Sequence, residues 1–153
     1  MTTELDTATL QLEVASRESS KGGIAASASG ASPSALVRKG RQELATGKLD
    51  SAETAFHAAL AAAPLDASAH RGMAEVYRRK NKRAEAIQEL QAALEQRDSA
   101  VDRTTLARIY LEQKKPELAK SELARALKLA PNYAEARQLQ EHLQNGKAQI
   151  TTP

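Results

Sequence analysis

The sequence predicts an all-α protein: a solenoid of three helix-turn-helix repeats, with a capping helix after them and a flexible tail before them. Hydrophobic residues make up 41% of the chain but aromatic residues only 3%, and there is no cysteine. This composition suits closely packed helices, because sandwiches and barrels need β-branched and aromatic side chains to fill their cores. Small and apolar residues also recur at a fixed spacing from residue 33 onward.

Residues 1–32 are expected to form a flexible, mostly disordered N-terminal tail. Residues 20–35 read SKGGIAASASGASPSA, a composition with too little apolar surface to offset the entropy lost on ordering. Residues 4–18 differ, because they combine acidic residues with scattered Leu and Val side chains. Three alternatives stay open for them: a disordered extension, a segment that orders on a partner, and a cover over the first end of the solenoid.

The repeat has a period of 33 to 34 residues, which is typical of a solenoid of two-helix units. We therefore divide residues 33–132 into units 33–66, 67–99 and 100–132, followed by a capping helix at 133–145 and a C-terminal tail at 146–153. Five sets of residues keep this spacing: Gly40, Ala74 and Ala107; Ala52, Ala86 and Ala119; Phe56, Leu90 and Leu123; Ala59, Ala93 and Ala126; Leu60, Leu94 and Leu127.

Capping residues mark where the helices begin. Pro33 follows Ser32, and proline is favoured at the first helical position. Asp66, and either Asp98 or Ser99, are expected to cap the first helices of units two and three. Two further pairs have the capping-box spacing: Asp50 with Glu53, and Asn132 with Glu135. The predicted helices are 34–46, 50–63, 67–80, 84–96, 100–113, 117–129 and 133–144.

The turn inside each unit has Gly47, Asn81 or Lys114 at equivalent positions. Glycine and asparagine tolerate the left-handed backbone that ends a helix, and lysine tolerates it less well. Pro64 and Pro131 close units one and three, whereas unit two lacks this proline and is one residue shorter. The turns therefore support the same division of the chain.

This pattern resembles the tetratricopeptide repeat family over residues 33 to about 145. The segment ALKLAPNYAEA at residues 126–136 is similar to the family's junction between units. Unit one departs most, because Lys39 and Glu43 stand at its Leu and Tyr positions; terminal units are often atypical. The matching landmarks are Ala52, Phe56, Ala59 and Pro64 in unit one, Met73, Ala74 and Tyr77 in unit two, and Leu106, Ala107 and Tyr110 in unit three.

The resemblance implies a protein–protein interaction scaffold or adaptor, with units in a right-handed superhelix and first helices lining a concave groove. Arginines dominate the groove, and their planar forks suit carboxylates, so we expect an acidic or extended peptide of a partner protein. The implied groove residues are Val37, Arg38, Arg41, Leu44, Arg71, Glu75, Arg78, Arg79, Thr104, Arg108, Leu111 and Glu112. Ser34, Ser68 and Val101 share one further groove position near the helix starts.

Two narrower expectations concern what occupies the groove. The acidic N-terminal tail is complementary to it, and we expect weak intramolecular competition between the tail and a partner. The family's carboxylate clamp for chaperone C-termini needs Lys, Asn and Arg at defined positions. Those positions hold Val37, Arg41, Gly72, Val101 and Thr105, so chaperone-tail binding of that type is not expected.

Other function classes find little support in the sequence. His57, His70 and His142 have no Ser or Cys partner at an interpretable spacing, so we expect neither an enzyme nor a metal or cofactor. RRKNKR at residues 78–83 lacks the interleaved aromatics that stack on bases, and nucleic acid is an unlikely partner. Two alternatives from other classes remain: a structural subunit of a larger assembly that uses its convex face or the solenoid ends, and, less favoured, a nucleic-acid-binding protein whose arginines contact phosphates. Without a membrane span or a signal peptide, we expect a cytoplasmic protein.

Overall fold

The computed structural model describes residues 30–148, and this part of the chain is an all-α solenoid without strands. Each bound lies within one residue of its prediction, except that the last helix continues four residues further. Residues 1–29 and 149–153 lie outside the described residues, and so do the predictions made for them. The helices are α1 Pro33–Ala45, α2 Leu49–Ala62, α3 Ala67–Arg79, α4 Arg83–Gln96, α5 Ala100–Glu112, α6 Pro116–Leu129 and α7 Ala134–Ala148.

Most of the predicted helix starts are confirmed. Pro33 and Pro116 are the first residues of their helices. The Asp66 carboxylate accepts hydrogen bonds from the backbone N–H groups of Ser68 and Ala69, at 2.8 and 3.0 Å. Ser99, rather than Asp98, caps α5. These side chains satisfy N–H groups that have no partner inside the helix.

Both predicted capping boxes are wrong. Helix α2 begins one residue early, after Lys48, and no side chain caps it. Asp50 instead lies in the first turn, and its carboxylate binds Lys80 of the next unit. At α7 the first helical carbonyl is that of Tyr133, which accepts from the N–H of Arg137 at 3.2 Å. A capping box requires its first residue to be the N-cap, so a helix start that differs by one residue makes the predicted box impossible.

The three turns inside the units share one backbone conformation. Gly47, Asn81 and Lys114 all have positive φ, at 77°, 63° and 58°. In each turn the following N–H bonds the carbonyl five residues back, as in the bond from Lys48 to Glu43 at 2.9 Å. This is the Schellman arrangement, which satisfies carbonyls at the helix end. The three units therefore share the backbone conformation of their turns as well as their sequence pattern.

The core follows the repeat, with one apolar cluster for each unit. The recurring alanines Ala52, Ala86 and Ala119 are all fully buried. Phe56 is the largest fully buried side chain, and its ring lies against Gly40 of α1 and Gly72 of α3. A Cβ at either glycine would come within 3 Å of the ring. These glycines therefore allow one phenylalanine to pack between two first helices.

Candidate functional site

The predicted groove residues fall into columns, because the same position recurs on α1, α3 and α5. Two hydrogen bonds place these first helices side by side in that order. Arg79 of α3 donates to the Leu44 carbonyl of α1 at 2.9 Å, and Arg71 of α3 binds Asp102 of α5. The columns are Val37, Arg71 and Thr104; Arg38, Gly72 and Thr105; Arg41, Glu75 and Arg108; Leu44, Arg78 and Leu111.

The column of Val37, Arg71 and Thr104 lies at the joints between units. Val37 is 6% exposed and belongs to the same core cluster as Ala69 of the next first helix. Thr104 is 1% exposed, and its hydroxyl donates to the Ala100 carbonyl at 2.7 Å. Their side chains are thus occupied in packing and internal hydrogen bonding.

At the joint between units two and three, the equivalent residues Arg71 and Asp102 form an ion pair. The Asp102 side chain is fully buried, and its two oxygens accept from Nε and Nη2 of Arg71. The hydrogen bond to Asp102 raises the pKa of Arg71, while burial acts in the opposite direction. Such a two-pronged pair is strong and geometrically specific. Arg71 is therefore bound within the chain.

Glu75 accepts hydrogen bonds from the two arginines at the end of α3, Arg78 and Arg79. Arg78 donates to both oxygens of Glu75 at 2.9 Å, and Arg79 donates to one of them at 2.8 Å. Burial works to raise the pKa of Glu75, but these hydrogen bonds outweigh burial and the pKa is lowered. Arg78 also lies 3.5 Å from Glu112 of α5. Both arginines at the end of α3 are therefore bound to acids of the chain.

The same holds for Arg108 of unit three, which forms an ion pair with Glu135 of α7. Glu135 and Asp102 were absent from the predicted groove, although both neutralise its arginines. Each lies in the first turn of the next helix in the row, 27 residues after Arg108 and 31 after Arg71. An acid in the first turn of the next first helix, two to seven residues short of one repeat after an arginine, is the sequence signal that could have revealed them.

Arg38 and Arg41 of α1 differ from the other groove arginines. Both are exposed, and neither forms a hydrogen bond or an ion pair with any described residue. They lie three residues apart, so their side chains share one face of the helix. On α3, Gly72 stands at the position of Arg38 and has no side chain. Glu75 stands at the position of Arg41, but two arginines of its own helix already bind its carboxylate. Within the part of the chain that the structure describes, the charges of these two arginines on α1 are thus not compensated by an acid.

The basic side chains of residues 78–83 contact other residues of the chain. Lys80 contacts the carboxylates of Asp50 and Glu53 in unit one. The Lys82 ammonium lies 5.7 Å from the centre of the Tyr77 ring, and Arg83 lies 3.2 Å from Glu112. With Arg78 and Arg79 held by Glu75, each base of this segment has an internal contact.

One histidine, His70, has close polar contacts within the described chain. His70 lies 2.7 Å from Glu89 and 2.9 Å from the Pro64 carbonyl, and it bridges units one and two. Arg103, 33 residues later, bridges Asp98 and Glu122 in the same way. Among the described residues no cluster of His, Cys, Asp and Glu could hold a metal ion. No described helix is both long enough and apolar enough to cross a membrane.

Comparison with known proteins gives matches to repeat sequences and to solved structures. Two tetratricopeptide repeat sequence models match residues 37–101 and 103–133. No curated protein sequence matches the chain. The first TPR domain of Spaghetti (RPAP3), bound to the HSP90 peptide SRMEEVD, is 25% identical, with a TM-score of 0.70 and coverage of 76% of this chain and 93% of that one.

Two further solved structures have the same fold. The first TPR domain of human RPAP3 is 24% identical with a TM-score of 0.71, over 76% of this chain and 93% of that one. The Yersinia enterocolitica chaperone SycD, in complex with a peptide of the translocator YopD, is 18% identical with a TM-score of 0.63. That match covers 72% of this chain and 85% of SycD.

Proposed function

Because the chain belongs to the tetratricopeptide repeat family, we propose that it is an interaction scaffold that binds an acidic, extended segment of a partner protein. The segment lies along the groove formed by α1, α3 and α5. A bound peptide in the Spaghetti (RPAP3) structure supports a role in protein–protein interaction. In this proposal the protein acts as an adaptor and performs no chemistry itself.

The observation that carries the proposal is a pair of exposed arginines on α1, Arg38 and Arg41, that have no partner among residues 30–148. Arg71, Arg78, Arg79 and Arg108 each bind a carboxylate of the chain, so they bring no uncompensated charge. Arg38 and Arg41 supply the remaining positive charge. A guanidinium fork binds a carboxylate through two parallel hydrogen bonds. An acidic side chain of the partner is the complement of this site.

Half-buried leucines on the same helices offer apolar contacts. Leu44 and Leu111 pack against the cores of units one and three and remain partly exposed. An extended peptide that crosses the first helices would meet these side chains beside the arginines. Charged contacts would then set specificity and association rate, while the apolar contacts slow dissociation.

The HSP90 peptide in the Spaghetti (RPAP3) structure is not the ligand we propose for this chain. Val37 and Gly72 hold two positions of the family's carboxylate clamp, and both are buried. Neither can donate a side-chain hydrogen bond to a terminal carboxylate. The proposed site instead uses Arg38 and Arg41, and it does not require that the acidic residues lie at a chain end.

The test is fluorescence anisotropy with labelled eight-residue peptides that are acidic, neutral or basic. We expect the acidic peptide to bind at least about tenfold more tightly than the others, and Arg38→Glu with Arg41→Glu to remove this preference. The matched control is Arg97→Glu with Lys128→Glu, which makes the same charge change at exposed residues near the ends of second helices. Equal affinity for all peptides, or equal losses in both double variants, would contradict the proposal.

A further inference from the structure

On the basis of the proposed function, we propose that the groove recognises a partner segment with two separate binding elements. Acidic residues of the partner bind at unit one, and a single aliphatic side chain about six residues away binds at unit three. The part of the segment between them carries no charge. This pattern follows from how charge and exposed apolar surface are distributed along the row of first helices.

The acidic part is assigned to α1 because the uncompensated charge lies there. Arg38 and Arg41 are exposed on one face of α1, and no described residue pairs with them. In unit three the corresponding residues are Thr105, whose hydroxyl donates to the Val101 carbonyl, and Arg108, which binds Glu135. Carboxylates of a partner therefore find unpaired guanidinium groups at unit one and not at unit three.

The uncharged middle is assigned to α3 because each of its arginines already has an acidic partner. Arg71 binds Asp102, and Arg78 and Arg79 both bind Glu75. A charged residue of the partner would have to displace one of these internal pairs. An uncharged residue can cross unit two without that cost.

The aliphatic part is assigned to Val101 near the start of α5. Val101 is 43% exposed, and among the exposed large hydrophobic residues of the described chain it is the one on a first helix. Units one and two have Ser34 and Ser68 at this position. An exposed valine at a groove position that is otherwise serine favours contact with an aliphatic side chain of the ligand.

The spacing between the two parts follows from the width of the row. The contacts from Arg79 to Leu44 and from Arg71 to Asp102 show that α1, α3 and α5 are successive neighbours. Packed helices are 8–10 Å apart, so the distance from α1 to α5 is roughly 20 Å. An extended chain advances about 3.3 Å per residue, which gives about six residues between the acids and the aliphatic side chain.

The test uses three labelled peptides with two glutamates in an otherwise neutral sequence. In the first a leucine follows six residues after the acids, in the second serine replaces the leucine, and in the third the leucine lies directly beside the acids. We expect the first to bind the native protein roughly five- to tenfold more tightly than the other two, because one aliphatic side chain is partly buried on binding. The variant Val101→Ser, which introduces the residue of units one and two, should abolish this advantage.

Two results would overturn the two-part pattern. One is equal affinity of the native protein for all three peptides; the other is a loss in Val101→Ser that is the same for the leucine and serine peptides. Either result leaves the acidic groove intact if Arg38→Glu with Arg41→Glu still weakens binding. Acidic peptides that bind with no dependence on those two arginines would instead contradict the proposed function itself. Unchanged circular dichroism melting of Val101→Ser serves as the folding control.

Discussion

Arg71 and Asp102 form a buried ion pair that joins the first helices of units two and three. The equivalent residues are Val37 and Ala69 between units one and two, and Thr104 and Ala136 between unit three and α7. Those four residues are buried or fully buried. The residues at this pair of positions thus pack against each other in three chemically different ways, and the pair is charged only between units two and three.

Removal of Arg71 should therefore cost stability rather than only affinity. Arg71→Ala leaves the Asp102 carboxylate buried without a partner, and we expect the free energy of unfolding to fall by about 3–5 kcal/mol in urea denaturation. Arg38→Ala, which removes an exposed and unpaired arginine, should change it by less than about 0.5 kcal/mol. Arg71→Val with Asp102→Ala copies the Val37 and Ala69 joint and should recover most of the loss. Similar losses in the single and double variants would contradict this account.

Gly72 should be intolerant of even one methyl group. An added Cβ would lie 2.2 Å from a ring carbon of Phe56, so Gly72→Ala should destabilise by about 1–3 kcal/mol through overpacking. Gly146→Ala is the control, because nothing lies within 4 Å of its Cβ and alanine favours the helix. Phe56→Leu, the residue of units two and three, should relieve the Gly72→Ala penalty. Additive losses in the double variant, measured by thermal melting, would show that the ring is not the obstacle.

Glu75 should make stability depend on pH in the acid range. Burial opposes ionisation, but hydrogen bonds from Arg78 and Arg79 hold the pKa below its usual value of 4.5. A carboxylate with a lowered pKa in the folded state stabilises above its unfolded pKa, and this contribution is lost as pH falls through the folded pKa. Between about pH 5 and pH 2, unfolding free energies should thus fall more steeply for the native protein than for Glu75→Gln. Glu141→Gln, at an exposed position of α7, should keep the native slope.

Lys114 should gain stability when it is replaced by glycine. Its φ of 58° is left-handed, a conformation that costs an L-residue about 1–2 kcal/mol and glycine almost nothing. We expect Lys114→Gly to raise the free energy of unfolding by about 0.5–1 kcal/mol. The control is Lys115→Gly, because Lys115 has a φ of −113° and gains nothing from glycine. A loss of stability in Lys114→Gly would contradict the strain argument.

The helices and their order could be predicted from the sequence because the repeat and the turn residues are local or periodic signals. Gly47, Asn81 and Lys114 mark the turns at equivalent positions, and each has the left-handed backbone expected there. The start of α2 was misplaced by one residue, since the spacing of Asp50 and Glu53 resembles a capping box. The bond from Asp50 to Lys80 depends on a tertiary contact that spacing alone does not reveal.

The charge balance of the groove could not be predicted in the same way. The sequence identifies the arginines, but it does not show that Asp102 and Glu135 of the next helices reach them. Those acids lie in first turns, where acidic residues are common for reasons of helix electrostatics. Only the packing of neighbouring first helices shows that, among the predicted groove arginines, Arg38 and Arg41 are the two without a partner in residues 30–148.

The most direct test of the groove account is a nuclear magnetic resonance titration of the 15N-labelled protein with the acidic eight-residue peptide. The account predicts amide shift changes that concentrate on α1, α3 and α5, are largest around Arg38 and Arg41, and disappear in the Arg38→Glu and Arg41→Glu double variant. Shift changes confined to the second helices α2, α4 and α6, or unaltered in that variant, would contradict it and place binding on the convex face.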